Sequence, residues 1–158
     1  MRKSASAKSN KWLARMLVLL QFVLAAAMVL STAWTDQPSF LRLLLAGILL
    51  IGGSVIAVWA WLVMGWRRLR IMPHPASDAH LLQHGPYRWI RHPMYAGLLI
   101  AAAGCVGWDA GLYRAMLWLG LGLVLAAKTQ IEEKLLCEKF ADYALYRANT
   151  WRFFPGLW

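Results

Sequence analysis

The run FLRLLLAGILLIGGSVIAVWAWLVMGW, Phe40 to Trp66, carries one charged residue, Arg42, near its start. Crossing the hydrocarbon of a bilayer takes roughly 20 mostly apolar residues in a helix. This run exceeds that, and tryptophans near its end suit the membrane–water interface. A second run, Trp12 to Trp34, has the same character, with a tryptophan at each end. Met94–Trp108 and Leu112–Ala127 are shorter or more interrupted. The expected fold is all-α: one polytopic integral membrane unit over residues 1–158, with about four transmembrane helices. No stretch resembles a β-sheet, and no internal repeat is present.

Composition agrees. Hydrophobic residues make up 60% of the 158, and mean hydropathy is +0.48, too apolar for an ordinary soluble domain. The basic leader and the small residues Ser31-Thr32-Ala33 also fit a signal peptide, but the first apolar core is longer than such signals use. We read it as a retained span. The polar residues 1–10 are expected to be loose.

The net charge is +10. Arg2, Lys3, Lys8, Lys11 and Arg15 precede or open the first span. Arg67, Arg68, Arg70, Arg88 and Arg91 lie between the second and third. Lys128, Lys134, Lys139, Arg147 and Arg152 follow the fourth, which leaves Arg42 and Arg114 for the other side. This is the positive-inside pattern. It places both termini and the long connection in the cytoplasm, against anionic headgroups. Nucleic acid is not needed to explain the charge. Cys105 in an apolar helix and Cys137 outside it have no disulfide or zinc spacing.

The connections differ in length. TDQPS (35–39) is a short turn, stopped by Pro38. Asp109-Ala110-Gly111 is tight, so helices three and four should form an antiparallel hairpin. Gly97, Ala101, Gly104 and Gly107 on one, and Ala115, Gly120, Gly122 and Ala126 on the other, would allow close approach in lipid. Ser77 and Asp78 could cap a short helix from His80 to Gln83. After Lys128, apolar residues continue at helical spacing through Tyr146 with no Gly or Pro, so the last helix should run on into the cytoplasm.

Chemistry concentrates in HGPYRWIRHPMY, His84 to Tyr95. Pro93 suits the first position of a helix, and a helix start with Arg88, Arg91 and His92 beside it can hold an anion. Snorkelling side chains and an aromatic belt explain the same residues without a ligand. His80 and His84 are four apart, but too few further ligands lie near for a metal, and none is expected. Glu132-Glu133 adds adjacent acids on the last helix. Their side chains point about 100° apart, so one can meet solvent and pair with Lys128 while the other faces inward. An inward acid opposite an anion site suits a zwitterion. A solvated charge run is the plainer alternative.

GPYRWIRHPMYAG followed by EEKLLCEKFADYALYRANTWRFFPG resembles the isoprenylcysteine carboxyl methyltransferase and phospholipid methyltransferase-like family of integral membrane enzymes, in a bacterial form. The likeness covers about residues 83–156. It implies S-adenosylmethionine as cofactor and a lipophilic or small methyl acceptor, in an inner membrane. Its carboxylate would lie near His92 and the start of helix three. Its ammonium would meet Glu132 or Glu133, Glu133 first. Tyr87 and Tyr95 would pack on adenine or the sulfonium, His84 and Gly85 would give main-chain contacts, and Arg91 would stand beside them. Tyr146, Arg147 and Arg152 would return over the pocket to orient the substrate. In the isoprenylcysteine enzymes an arginine linked to the substrate carboxylate follows the second tyrosine of Tyr-x-x-Tyr by three residues. Here that position is Asn149. A membrane reductase using NADPH is the alternative, because sterol reductases share a stretch like Cys137-Glu138-Lys139-Phe140. A non-enzymatic membrane protein is the third reading.

Overall fold

The computed structural model describes residues 2–31, 38–65, 81–109 and 111–157. Helix α1 spans Arg2–Ser31, α2 Phe40–Met64, α3 Pro93–Asp109, α4 Leu112–Lys139 and α5 Tyr143–Ala148, with a 3-10 turn at Gly85–Arg88 before α3. Isolated bridges are the only β pairing among the described residues. The fold is an all-α membrane architecture. α1, α2 and α4 contain stretches long and apolar enough to cross a bilayer. α3 has 17 residues, which at 1.5 Å per residue is about 25 Å against a hydrocarbon core of about 30 Å.

The surface supports the same reading. Phe22 is 64% exposed, Leu30 67% and Ile51 66%. Apolar faces of this extent on α1 and α2 belong in lipid rather than water.

Two expectations change. Residues 2–10 are helical, not loose; with no Gly or Pro among them, nothing in the leader stops α1. α4 ends at Lys139, where Phe140 turns extended, and α5 starts afresh at Tyr143. That break buries Tyr143 and Tyr146, so tertiary contact overrides a propensity that would have continued the helix. Of the expected short helix from His80 to Gln83, residues 81–83 are described and are not helical; its start, most of the turn at 35–39 and Ala110 lie outside the described residues.

Small residues do let backbones meet, but the partner of α3 is α2. A methyl built on Gly97 would stand 2.5 Å from the Gly53 carbonyl oxygen, and one on Gly104 would stand 2.7 Å from that of Ala46. These pairings run antiparallel. Gly120 and Gly122 of α4 are less crowded, with a methyl 3.8 Å from Leu24 and 3.9 Å from Leu99 respectively. α4 lies antiparallel to α1 and α3. Its Trp118 donates to the Leu99 carbonyl at 2.9 Å. Near its start, buried Arg114 donates to the Ser31 carbonyl at 2.8 Å, Ser31 Oγ at 3.1 Å and the Cys105 carbonyl at 3.3 Å. Terminal helix carbonyls lack intrahelical donors, and a cation there also meets the negative end of the dipole. Arg114 thus ties α1, α3 and α4 at one end. Met28, Leu99, Leu121 and Leu125 fill the core between them.

Candidate functional site

At the opposite end from Arg114, the residues singled out in the sequence converge. Gly85 adopts φ +60°, a left-handed conformation that favours glycine. A methyl there would also press on Val63 Cγ2 at 2.9 Å. The following turn buries Pro86 and Tyr87 while His84 stays exposed. Burial, with Tyr146 and Glu132 adding smaller effects, raises the ionisation of the Tyr87 phenol above its usual range. Its hydroxyl is buried with no hydrogen-bond partner.

The chain then runs beside its own C-terminal segment. Ile90 and Trp151 form a parallel bridge. The Arg91 amide donates to the Trp151 carbonyl at 2.8 Å, the His92 amide to the Arg152 carbonyl at 3.1 Å, and the Trp151 amide to the Trp89 carbonyl at 2.9 Å. Tyr146 hydroxyl donates to the Tyr87 carbonyl at 2.7 Å. Burial pushes the Tyr146 phenol up to about 12. The C-terminal residues therefore strap the entrance of α3.

Glu133 is the centre of the strap. It is 3% exposed. Arg91 Nε donates to its Oε1 at 2.9 Å. Arg152 grips it sidelong, Nε to Oε1 at 3.2 Å and Nη2 to Oε2 at 3.1 Å, the bidentate geometry that makes arginine–carboxylate pairs strong. Half-exposed Arg147 approaches Oε2 at 3.7 Å. Arg91 Nη1 also donates to the carbonyls of Arg147, at 3.0 Å, and Thr150, capping the end of α5 with a cation. Thr150 Oγ1 returns to the Tyr146 carbonyl at 2.6 Å. Arg91 and Arg152, expected beside a ligand, are thus turned onto Glu133.

The open side is built by other groups. His92 is buried, with Nε2 3.4 Å from Glu133 Oε1 but out of hydrogen-bond alignment, and Nδ1 3.6 Å from Glu132 Oε2. Its ring stacks on Tyr95, interplanar angle 6°. Tyr95 hydroxyl donates to Glu132 Oε1 at 2.7 Å. Glu132 keeps a third of its side chain exposed, 33% against 4% for Glu133, so the inward–outward split of the adjacent acids holds. Lys128 does not pair with Glu132 as expected. It donates to Gln21 Oε1 at 3.2 Å and lies 4.7 Å from the centre of the Tyr95 ring. The helix start is also more occupied than the sequence implied. The amides of Tyr95 and Ala96 both bond the His92 carbonyl, at 3.1 and 3.0 Å.

Asn149 Nδ2 donates to the Leu145 carbonyl at 3.0 Å on the exposed side of α5, away from Glu133. Among the described residues no group of three metal-ligating side chains forms; His80 lies outside them. Sequence reading missed Lys128 and Gln21 as a pair. The available signal was Gln21 itself, a polar residue inside an apolar run.

Comparison with known proteins agrees with this layout. Residues 41–143 match the phospholipid methyltransferase family model, covering α2, α3 and α4 with both acids and the HGPYRWIRHPMY stretch. The cobalt-zinc-cadmium resistance protein CzcN of Cupriavidus metallidurans is 28% identical over 144 residues, 89% of this chain and 62% of that protein. An uncharacterised protein of Schizosaccharomyces pombe is 34% identical over 79 residues, 46% of this chain and 23% of that protein. The chain therefore spans less than two thirds of the length of either relative. With the match reaching across α2, α3 and α4 and including Arg91, His92, Tyr95, Glu132 and Glu133, the chain belongs to the phospholipid methyltransferase family.

Proposed function

We propose that this protein is an S-adenosylmethionine-dependent methyltransferase of the bacterial inner membrane, with both termini and the cluster around Tyr95 on the cytoplasmic side. The observation that carries the reading is the grouping of an accessible acid, Glu132, with stacked His92 and Tyr95 at the mouth of a family-matched bundle. The donor set fits the cofactor. An ammonium needs a carboxylate that the fold has not already consumed, and Glu132 meets that need better than Glu133. A sulfonium is drawn to aromatic faces, and the Tyr87 and Tyr95 rings lie beside Glu132, the Tyr95 ring carrying stacked His92 and, 4.7 Å from its centre, Lys128. The buried Tyr87 hydroxyl lacks a hydrogen-bond partner, and such an atom normally finds one. His84 and Gly85 lie at the rim of the same turn.

Bound S-adenosylmethionine supplies an electrophilic methyl group. The chain's own part is alignment in a water-poor place. Glu133, Arg91 and Arg152 hold the C-terminal strap rigid, Tyr146 fixes the Tyr87 turn, and His92 and Tyr95 shape the floor. Arg147, 53% exposed at its side chain, is the member of the Tyr146, Arg147, Arg152 group left to orient an acceptor. The acceptor is lipophilic or small and offers a carboxylate, thiol or amine, as in isoprenylcysteine-type enzymes.

Purified protein in lipid nanodiscs should bind S-adenosylhomocysteine, and Glu132→Gln should weaken this at least about tenfold, as loss of a charge-assisted contact does. Binding of NADPH without S-adenosylhomocysteine would instead support a reductase and overturn the proposal.

A further inference from the structure

The C-terminal strap has an outer face as well as the inner one fastened to Glu133. Ile90 and Trp151 pair in parallel, so their side chains share one face while their chain neighbours alternate to the other. Arg91, Thr150 and Arg152 take the inner face, where they are buried and bonded to one another or to Glu133. Trp151 stands outward between two buried residues and is 44% exposed. Its amide donates to the Trp89 carbonyl at 2.9 Å, and Trp89 is 54% exposed. Two contacts fix the depth of this face. A methyl on Gly85 would meet Val63 Cγ2 at 2.9 Å, and Val63 lies in the last turn of the apolar span Phe40–Met64. Pro93 then opens α3, whose 17 residues reach only about 25 Å against a hydrocarbon core of about 30 Å. Trp89 to His92 therefore stand at the border of the hydrocarbon, the level that tryptophan prefers. The charge there has one sign. His84–Tyr95 and Tyr143–Trp158 together contain four arginines and no acid. Arg91 and Arg152 are turned onto Glu133, and Arg147 approaches it at 3.7 Å. Arg88, next to Trp89, is exposed.

We infer that Arg88, Trp89 and Trp151 form a seat for anionic lipid headgroups, and that lipid held there fastens the strap. A negatively charged leaflet attracts each basic residue at its surface, and indole rings settle at the boundary of headgroup and acyl chain. The link from seat to site is short. The Trp151 carbonyl takes the Arg91 amide at 2.8 Å, and the carbonyl of the next residue, Arg152, takes the His92 amide at 3.1 Å. Holding Trp151 outward therefore holds the bonds that fix His92 ahead of Pro93. The lipid is a structural effector, neither donor nor acceptor of a methyl group. The seat lies on the outer side of the strap and is independent of what binds at Glu132. Tryptophans that only marked depth would be indifferent to headgroup charge.

The test compares full-length protein in nanodiscs of pure phosphatidylcholine with the same protein in discs containing phosphatidylglycerol. Hydrogen exchange at the amides of Arg91, His92 and Trp151, followed by mass spectrometry, reads the opening of the strap. In wild type these amides should exchange about fivefold more slowly in the anionic discs, the effect of one basic residue at an anionic surface. The difference should vanish in about 1 M salt, where the screening length falls to about 3 Å. Arg88→Gln should lose the difference and Arg88→Lys should keep it. Trp151→Ala should speed exchange in both lipids, although its main-chain bonds remain available. Arg88 is exposed, so both Arg88 variants should melt with wild type in uncharged detergent, which shows that the fold is intact. Equal exchange of wild type in the two lipids, or a difference that survives in Arg88→Gln, overturns the inference. So does exchange in Trp151→Ala that matches wild type, because the ring would then hold nothing. S-adenosylhomocysteine binding on the same discs separates this seat from the donor site. A lipid response without binding removes the donor site around Glu132 and leaves the seat standing; binding without a lipid response does the reverse.

Discussion

Replacing Glu133 by Gln keeps the volume and removes the charge on which the C-terminal strap is fastened. Arg91 and Arg152 would remain, 6% and 4% exposed at their side chains, facing an amide that can accept only at one end. The sidelong grip of Arg152 needs both oxygens, at 3.2 and 3.1 Å, so the Gln amide nitrogen must oppose one guanidinium N–H. Removing one partner of a buried ion pair costs about 3–5 kcal/mol, because the other charge is left uncompensated. For a chain of this size that corresponds to a fall in melting temperature of roughly 6–20 °C. The strap should loosen first, since residues 147–152 are held through Arg91 and Arg152. Thermal unfolding in detergent and limited trypsin digestion at Arg147 both read this. Arg152→Gln should cost a similar amount, and the double variant less than the two singles combined, since neighbours in one network are not additive. If Glu133→Gln melts within about 2 °C of wild type and loses only cofactor binding, Glu133 is a ligand and the structural role given to it here is wrong.

Other consequences can be checked directly. Gly97→Leu should separate α2 from α3, because even a methyl at that position would lie 2.5 Å from the Gly53 carbonyl oxygen; loss of monodisperse protein on extraction is expected, whereas Gly107→Ala, which meets nothing within 4 Å, should be neutral in the same assay. Arg114→Leu should destabilise by about 1–3 kcal/mol, the cost of stranding the partly buried Ser31 carbonyl, measured as a shift in thermal unfolding with S-adenosylhomocysteine binding unchanged. Tyr146 is held protonated by burial, its ionisation raised from 10.0 to about 12. A raised value for the folded state means stability that is complete below pH 10 and lost as pH rises toward 12. Alkaline unfolding followed by circular dichroism should begin in that window, and Tyr146→Phe should reduce the pH dependence while losing about 1 kcal/mol for the bond to the Tyr87 carbonyl.

Much of the bundle was legible because a membrane helix has a long, one-dimensional signature. Phe40–Trp66 announces itself by length and by lack of charge, and α2 occupies most of it. The last helix passing beyond its apolar part was visible in the spacing of Ile131, Leu135 and Leu136. That one of the two adjacent acids could turn inward and the other outward followed from helix geometry; that Glu133 is the inward one came from the structure. What stayed hidden was pairing between distant segments. The glycines of α3 marked a face for close contact, but nothing in their spacing chose α2 over α4. Arg91 and Arg152 looked like ligand donors, because their shared acid lies 42 and 19 residues away and only the C-terminal strap brings all three together. The break after Lys139 carried no Gly or Pro signal; burial of Tyr143 and Tyr146 decides it. Lys128 was read as a surface partner of Glu132 because its contact with Gln21 joins the first helix to the last.

The central claim is that the cluster around Tyr95 is the methyl-donor site, and photolabelling tests it most directly. Ultraviolet irradiation of the membrane-embedded protein with methyl-labelled S-adenosylmethionine, followed by peptide mapping, should place label on the peptides carrying Tyr87 or Tyr95, suppressed by S-adenosylhomocysteine and reduced in Glu132→Gln. Specific label confined to other segments, or labelling of Tyr87 and Tyr95 that S-adenosylhomocysteine does not suppress, would contradict the account.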